Sequence, residues 1–106
     1  MASTAEPSHT WQTKEISELC EAMTSLRNPD EAAAFLRDLC TVSELEAMAH
    51  RWQVAKLLDE GLPYLEISRL THASTTTVTR VAHWLRYGEG GYRTLLDRTR
   101  RRRKTA

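Results

Sequence analysis

Residues 74–80 read Ser-Thr-Thr-Thr-Val-Thr-Arg, which sets five small hydroxyl side chains and one guanidinium within seven positions. Short side chains of this kind let a backbone come close to a polyanion, where free N–H groups at a helix start meet phosphate. Thr hydroxyls donate to or accept from base edges, their methyls touch the methyl of thymine, and an arginine addresses guanine with two donors. The candidate DNA contacts are therefore Ser74, Thr75, Thr76, Thr77, Thr79 and Arg80. Arg69 and the run Arg100, Arg101, Arg102, Arg103 and Lys104 add sequence-independent attraction to phosphate.

Other chemistry finds little support. His9, His50, His72 and His83 fall on separate segments, with no H-E-x-x-H, no Cys-His-Asp order and no paired-carboxylate site. Neither catalysis, a metal nor a cofactor is expected. Cys20 and Cys40 lie inside apolar helical patterns, without C-x-x-C spacing, and are expected as reduced core residues. The first ten residues, MASTAEPSHT, lack a basic start followed by an apolar run. The expectation is a cytoplasmic, nucleoid-associated protein with no membrane segment.

At 106 residues, 41% apolar and 27% charged, the chain has the composition of one ordinary globular domain. Its formal net charge of +1 hides a polarity. Residues 1–62 hold 5 Lys/Arg against 11 Asp/Glu, a net of −6, whereas residues 63–106 hold 10 against 3, a net of +7. Such asymmetry points to a polyanionic partner of the C-terminal half.

The elements that must position these residues are all helical. Ile16, Leu19, Cys20, Met23 and Leu26 recur at spacings of three and four, predicting a first helix from about Trp11 to Arg27. Asn28-Pro29-Asp30-Glu31 has the chemistry of a new helix start, and the second helix should run to about Cys40. Ser43 with Glu46 reads as a capping box, and Gly61 followed by Pro63 should stop the third helix at Glu60. That helix carries Leu45, Met48, Ala49, Trp52 and Ala55 on one side and Val54, Leu57 and Leu58 on another. It needs two partners, one of which is expected to be a second copy of the chain.

Pro63 to Leu70 predicts a two-turn helix burying Leu65 or Tyr64 together with Ile67 and Leu70, followed by the turn Thr71-His72-Ala73. Ser74 should cap the next helix, whose stripe is Val78, Val81, Ala82 and Leu85 and whose stop is Gly88. Two short helices joined in this way have the form of a helix-turn-helix. A last helix from Gly91 to about Arg103 dissolves into the basic run. The expected divisions are a disordered N-terminal tail 1–10, a helical DNA-binding domain 11–99 and a basic C-terminal tail 100–106. An alternative reading is a helical protein-interaction module with a basic docking tail.

The stretches LCTVSELEAMAHRWQVAKLL and ASTTTVTRVAHWLRYG resemble the Trp-repressor-like proteins, most closely their YerC/YecD branch, within a match over about residues 15 to 97. The resemblance implies an all-α fold of six helices, interlocked as a homodimer, with the fourth and fifth helices as a DNA-reading head. The expectation is a sequence-specific transcriptional regulator of double-stranded DNA, a repressor ahead of an activator, and a symmetric dimer would read an inverted-repeat operator. The resemblance also implies an effector pocket in which Arg51 and Arg80 match the two arginines that clasp the amino-acid corepressor of the Trp repressor. Val81 stands where that repressor has glycine, and Trp84 where it has serine. Both add bulk, so the expectation is DNA binding without tryptophan, with Trp84 filling the pocket.

Overall fold

The computed structural model describes residues 10–105, with side chains described as far as Arg102. The expected tail over residues 1–9 lies outside the described residues, as do the side chains of Arg103 and Lys104. Among the described residues there are six helices and no strand: α1 Lys14–Met23, α2 Pro29–Leu39, α3 Val42–Asp59, α4 Tyr64–Thr71, α5 Thr75–Tyr87 and α6 Gly91–Thr105. The chain packs as two compact units that divide between Thr41 and Val42.

In the first unit, α1 begins later than its apolar pattern because Thr13 caps it, accepting from the Ile16 N–H at 3.1 Å. It ends at Met23, where the Thr24 hydroxyl donates to the Glu21 carbonyl (2.7 Å) and a turn follows. Asn28 caps α2 by accepting from the Glu31 N–H at 2.9 Å, with Pro29 in the first helical position. The stripe Ile16, Leu19 and Met23 stays exposed. Cys20 is exposed with it and Cys40 is half-buried, so neither cysteine is the core residue that its pattern suggested. Both are free thiols.

The second unit carries the core, in which Val54 and Ala55 of α3, Ile67 of α4, Val78 and Val81 of α5 and Leu96 of α6 are buried together. α3 begins at Val42, one residue ahead of the expected cap Ser43, which lies inside the helix. Thr41 and Glu44 repeat the T-x-x-E spacing two residues upstream of Ser43 and Glu46. Val54 and Ala55 in the C-terminal half of α3 are buried, whereas Val42 and Met48 near its start are exposed. The helix stops in a Schellman motif: Gly61 adopts φ +89°, its N–H donates to the Leu58 carbonyl (3.0 Å), and the Leu62 N–H donates to the Leu57 carbonyl (3.3 Å).

α4 turns Ile67 into the core with Tyr64 half-buried, and leaves Leu65 and Leu70 exposed, which corrects the expected burial of Leu70. The turn after it is held by side chains. His72 is left-handed (φ 64°), Thr71 Oγ1 donates to the Ile67 carbonyl (2.8 Å), and Ser68 Oγ donates to the Ala73 carbonyl (2.5 Å). α5 ends at Tyr87 because Gly88 closes on Trp84: its N–H donates to the Trp84 carbonyl, and a Cβ there would stand 2.5 Å from the same oxygen.

α6 continues to Thr105, about two residues past the end expected near Arg103, so the basic run expected as a tail is helical. Arginine is a good helix former, cations favour a helix C-terminus, and Arg93, Asp97 and Arg100 pair along one face. Because Gly61 occupies a conformation that penalises any Cβ, Gly61→Ala is expected to lower stability by about 1–2 kcal/mol. Urea unfolding followed by circular dichroism measures it.

Candidate nucleic-acid interface

Ser74 is the cap of α5: its Oγ accepts from the Thr77 N–H at 3.1 Å and donates to Thr77 Oγ1 at 3.2 Å. These two hydroxyls hold each other and the helix start. Val78, Val81 and Ala82 face the core, which leaves Thr75, Thr76, Thr79 and Arg80 exposed along the outer side of the first two turns. Among the described residues, Arg80 forms no ion pair. Arg69 reaches across one turn of α4 to Glu66 in a two-bonded ion pair, with both side chains exposed. The Arg69 bond holds the Glu66 carboxyl below its usual range, and Glu66 raises Arg69 in turn.

An open cleft of about 460 Å³ lies between α3 and α5, lined on one side by Ala47, His50 and Arg51 and on the other by Thr77, Arg80 and Trp84. The four residues expected at the effector pocket, Arg51, Arg80, Val81 and Trp84, are thus together. Trp84 does not fill the space. Its ring is edge-on to His83 (centroids 5.0 Å apart), and the residue is 58% exposed. Trp84 also lines a second cleft with Trp52, Tyr92 and the Gly88–Gly91 turn.

The basic residues of α6 separate into two kinds. Arg93 Nη1 donates to Asp59 Oδ1 at 2.8 Å and approaches Asp97 at 3.4 Å, while Arg100 donates to the other Asp59 oxygen. Arg100, expected in the basic C-terminal tail, is therefore joined to the end of α3. Burial alone would raise the Asp59 pKa, but the hydrogen bonds from Arg100 and Arg93 outweigh it and hold the carboxyl below its ordinary value. Arg93 is raised, chiefly by its bond to Asp59. Sequence reading missed this cluster. The spacing of Arg93, Asp97 and Arg100 hinted at a paired face, but nothing local pointed to Asp59, 34 residues before Arg93.

The Trp repressor protein family matches residues 14–100. The chain belongs to the Trp repressor family. This is a family of DNA-binding regulators. The chain is 40% identical to YerC of Bacillus subtilis (strain 168) over 87 residues, covering 82% of this chain and 84% of that protein. A TrpR-like protein from Eubacterium eligens ATCC 27750 superposes with a TM-score of 0.78 at 40% identity, covering 83% of this chain and 91% of its own. A candidate Trp repressor from Staphylococcus aureus superposes with a TM-score of 0.82 at 34% identity, covering 91% and 96%. Among the described residues, no helix is long and apolar enough to cross a membrane, and no group of three or more His, Cys, Asp or Glu is placed to hold a metal.

Because the native Asp59 pKa lies below its unfolded value, the stabilisation it gives is present above the ordinary carboxylate range and is lost as pH falls through the native value. The stability difference between wild type and Asp59→Asn should be constant near neutrality and shrink below about pH 4. Thermal unfolding from pH 7 to pH 3 shows whether it does.

Proposed function

We propose that this protein is a transcriptional repressor that reads an inverted-repeat operator as a homodimer, with α5 of each subunit in the major groove. The observation that carries the reading is the exposed row Thr75, Thr76, Thr79 and Arg80 on a helix start whose own capping needs Ser74 and Thr77 meet. Arg80 and the threonines address base edges, the α5 N-terminus addresses a phosphate, Arg101–Lys104 add backbone attraction, and Arg69 adds to it by exchanging Glu66 for a phosphate. Its place of action is the nucleoid in the cytoplasm.

Support for the second copy comes from apolar side chains that the chain leaves open on α1, α2 and the start of α3. Leu39 is 50% exposed, Val42 49% and Met23 42%. Side chains of this size at these levels call for a partner surface. In a symmetric dimer the two α5 helices address half-sites about one helical turn apart, near 34 Å.

The reading includes operator binding without tryptophan. The isopropyl group of Val81 and the ring of Trp84 stand in the cleft wall beside Arg80, where the Trp repressor has only glycine and serine. Calorimetric titration of the purified protein with L-tryptophan is expected to show no micromolar binding, and such binding would end this part of the proposal.

Gel shift against genomic fragments at two salt concentrations tests the main reading. Retention that persists at about 150 mM salt is expected, since non-specific binding there is typically only 10⁻⁴ to 10⁻⁶ M. Arg80→Ala should weaken the selected site by about 1–3 kcal/mol while leaving random duplex nearly unchanged. Truncation after Arg102 should instead weaken every sequence and lower the salt slope by about 2. Absence of retention at both salts would favour the reading as a protein-interaction module.

A further inference from the structure

Asp59 stands where three parts of the second unit meet. It is the last residue of α3, it lies two positions before the Gly61 turn into α4, and it accepts from two arginines of α6. Its side chain is 13% exposed, whereas those of Arg93 and Arg100 are 46% and 41% exposed. Asp97 adds a second carboxylate, 3.4 Å from Arg93 Nη1 and 3.9 Å from Arg100 Nη1. Two guanidiniums open to solvent are thus satisfied by carboxylate oxygens in the manner in which phosphate oxygens would satisfy them.

We propose that Asp59, assisted by Asp97, is an internal counter-ion that withholds Arg93 and Arg100 from the DNA backbone and so sets the ratio of specific to non-specific binding. The proposal rests on the DNA-reading function above. α6 carries seven cations, Arg93, Arg98, Arg100–Arg103 and Lys104, against the single acid Asp97. Left free, each cation adds affinity for every sequence alike. A reader competes with a large excess of non-specific sites, so its occupancy depends on the specificity ratio and not on affinity alone. Satisfying two of the seven cations within the fold lowers that background and leaves α5 untouched. The same contacts tie α6 to the end of α3, and a purely structural tie predicts unchanged or weaker non-specific binding when Asp59 is removed.

The test compares the full-length protein with Asp59→Asn on immobilised heparin and on a random-sequence duplex over a range of salt, with circular dichroism to follow the fold. Asp59→Asn is expected to elute from heparin at higher salt, to bind the random duplex about three- to tenfold more tightly, and to steepen its salt slope by about one to two. Adding Arg93→Gln and Arg100→Gln to Asp59→Asn should return both readouts to the wild-type level or below. Unchanged or weaker heparin and duplex binding by a folded Asp59→Asn protein overturns the proposal. If that variant does not fold, Asp97→Asn, at a 46% exposed side chain, carries the same test with a smaller shift in the same direction. The heparin arm does not depend on operator reading. A later elution with no retention of any duplex would refute the DNA-reading function and keep the counter-ion.

Discussion

Burial of Val54 and Ala55 at the C-terminal half of α3 is the contact from which the α4–α5 pair takes its position. Ile67, Val78, Val81 and Leu96, one or two from each following helix, close on that pair and are all at most 3% exposed. Because α5 is held from behind in this way, its outer face is released from packing duty. It can carry β-branched threonines whose intrinsic helix propensity is poor, since tertiary contact and a hydroxyl cap supply what propensity does not. The chemistry of the exposed face and the stability of the helix thus rest on different residues.

The charge polarity along the chain gains a finer structure in three dimensions. Residues 63–106 carry a net +7, yet Arg69 is paired with Glu66, and Arg93 and Arg100 with Asp59 and Asp97. Asp59 belongs to the acidic half of the chain and is used to neutralise the basic half. Counting charges in sequence therefore overstates how much of the positive block is free to act at long range, and the correction falls on α4 and α6 and leaves α5 unaffected.

The helices whose ends are written in local chemistry were legible. Asn28-Pro29, Gly61 and Ser74 each mark a boundary through a backbone need that only a few residue types meet, and α2, α3 and α5 start or stop within two residues of them. Apolar periodicity located α1, but its length was overread, because Thr13 and Thr24 end the helix by hydrogen bonds that a hydrophobic pattern does not register. Which apolar residues are buried was less legible. Leu65 and Leu70 fit the stripe of α4 as well as Ile67 does, and two turns of helix are too short for period alone to choose among them. Long-range pairing was not legible at all. Asp59 and Arg100 are 41 residues apart, and no local rule connects them.

Within Ser74–Val81 the α-helical period divides one polar run into three kinds of work. Ser74 and Thr77, three apart, satisfy each other and the free N–H of the first turn. Val78 and Val81, again three apart, fill the core. The positions left over, Thr75, Thr76, Thr79 and Arg80, are separated by one, three and four residues and so share one outward face. Four hydroxyls in succession look redundant in sequence, but the geometry of 3.6 residues per turn makes the first and last structural and the middle two available. The candidate interface is in this sense a remainder. It consists of the residues that capping and packing do not need, which is why its side chains can differ among related folds without disturbing the helix that presents them.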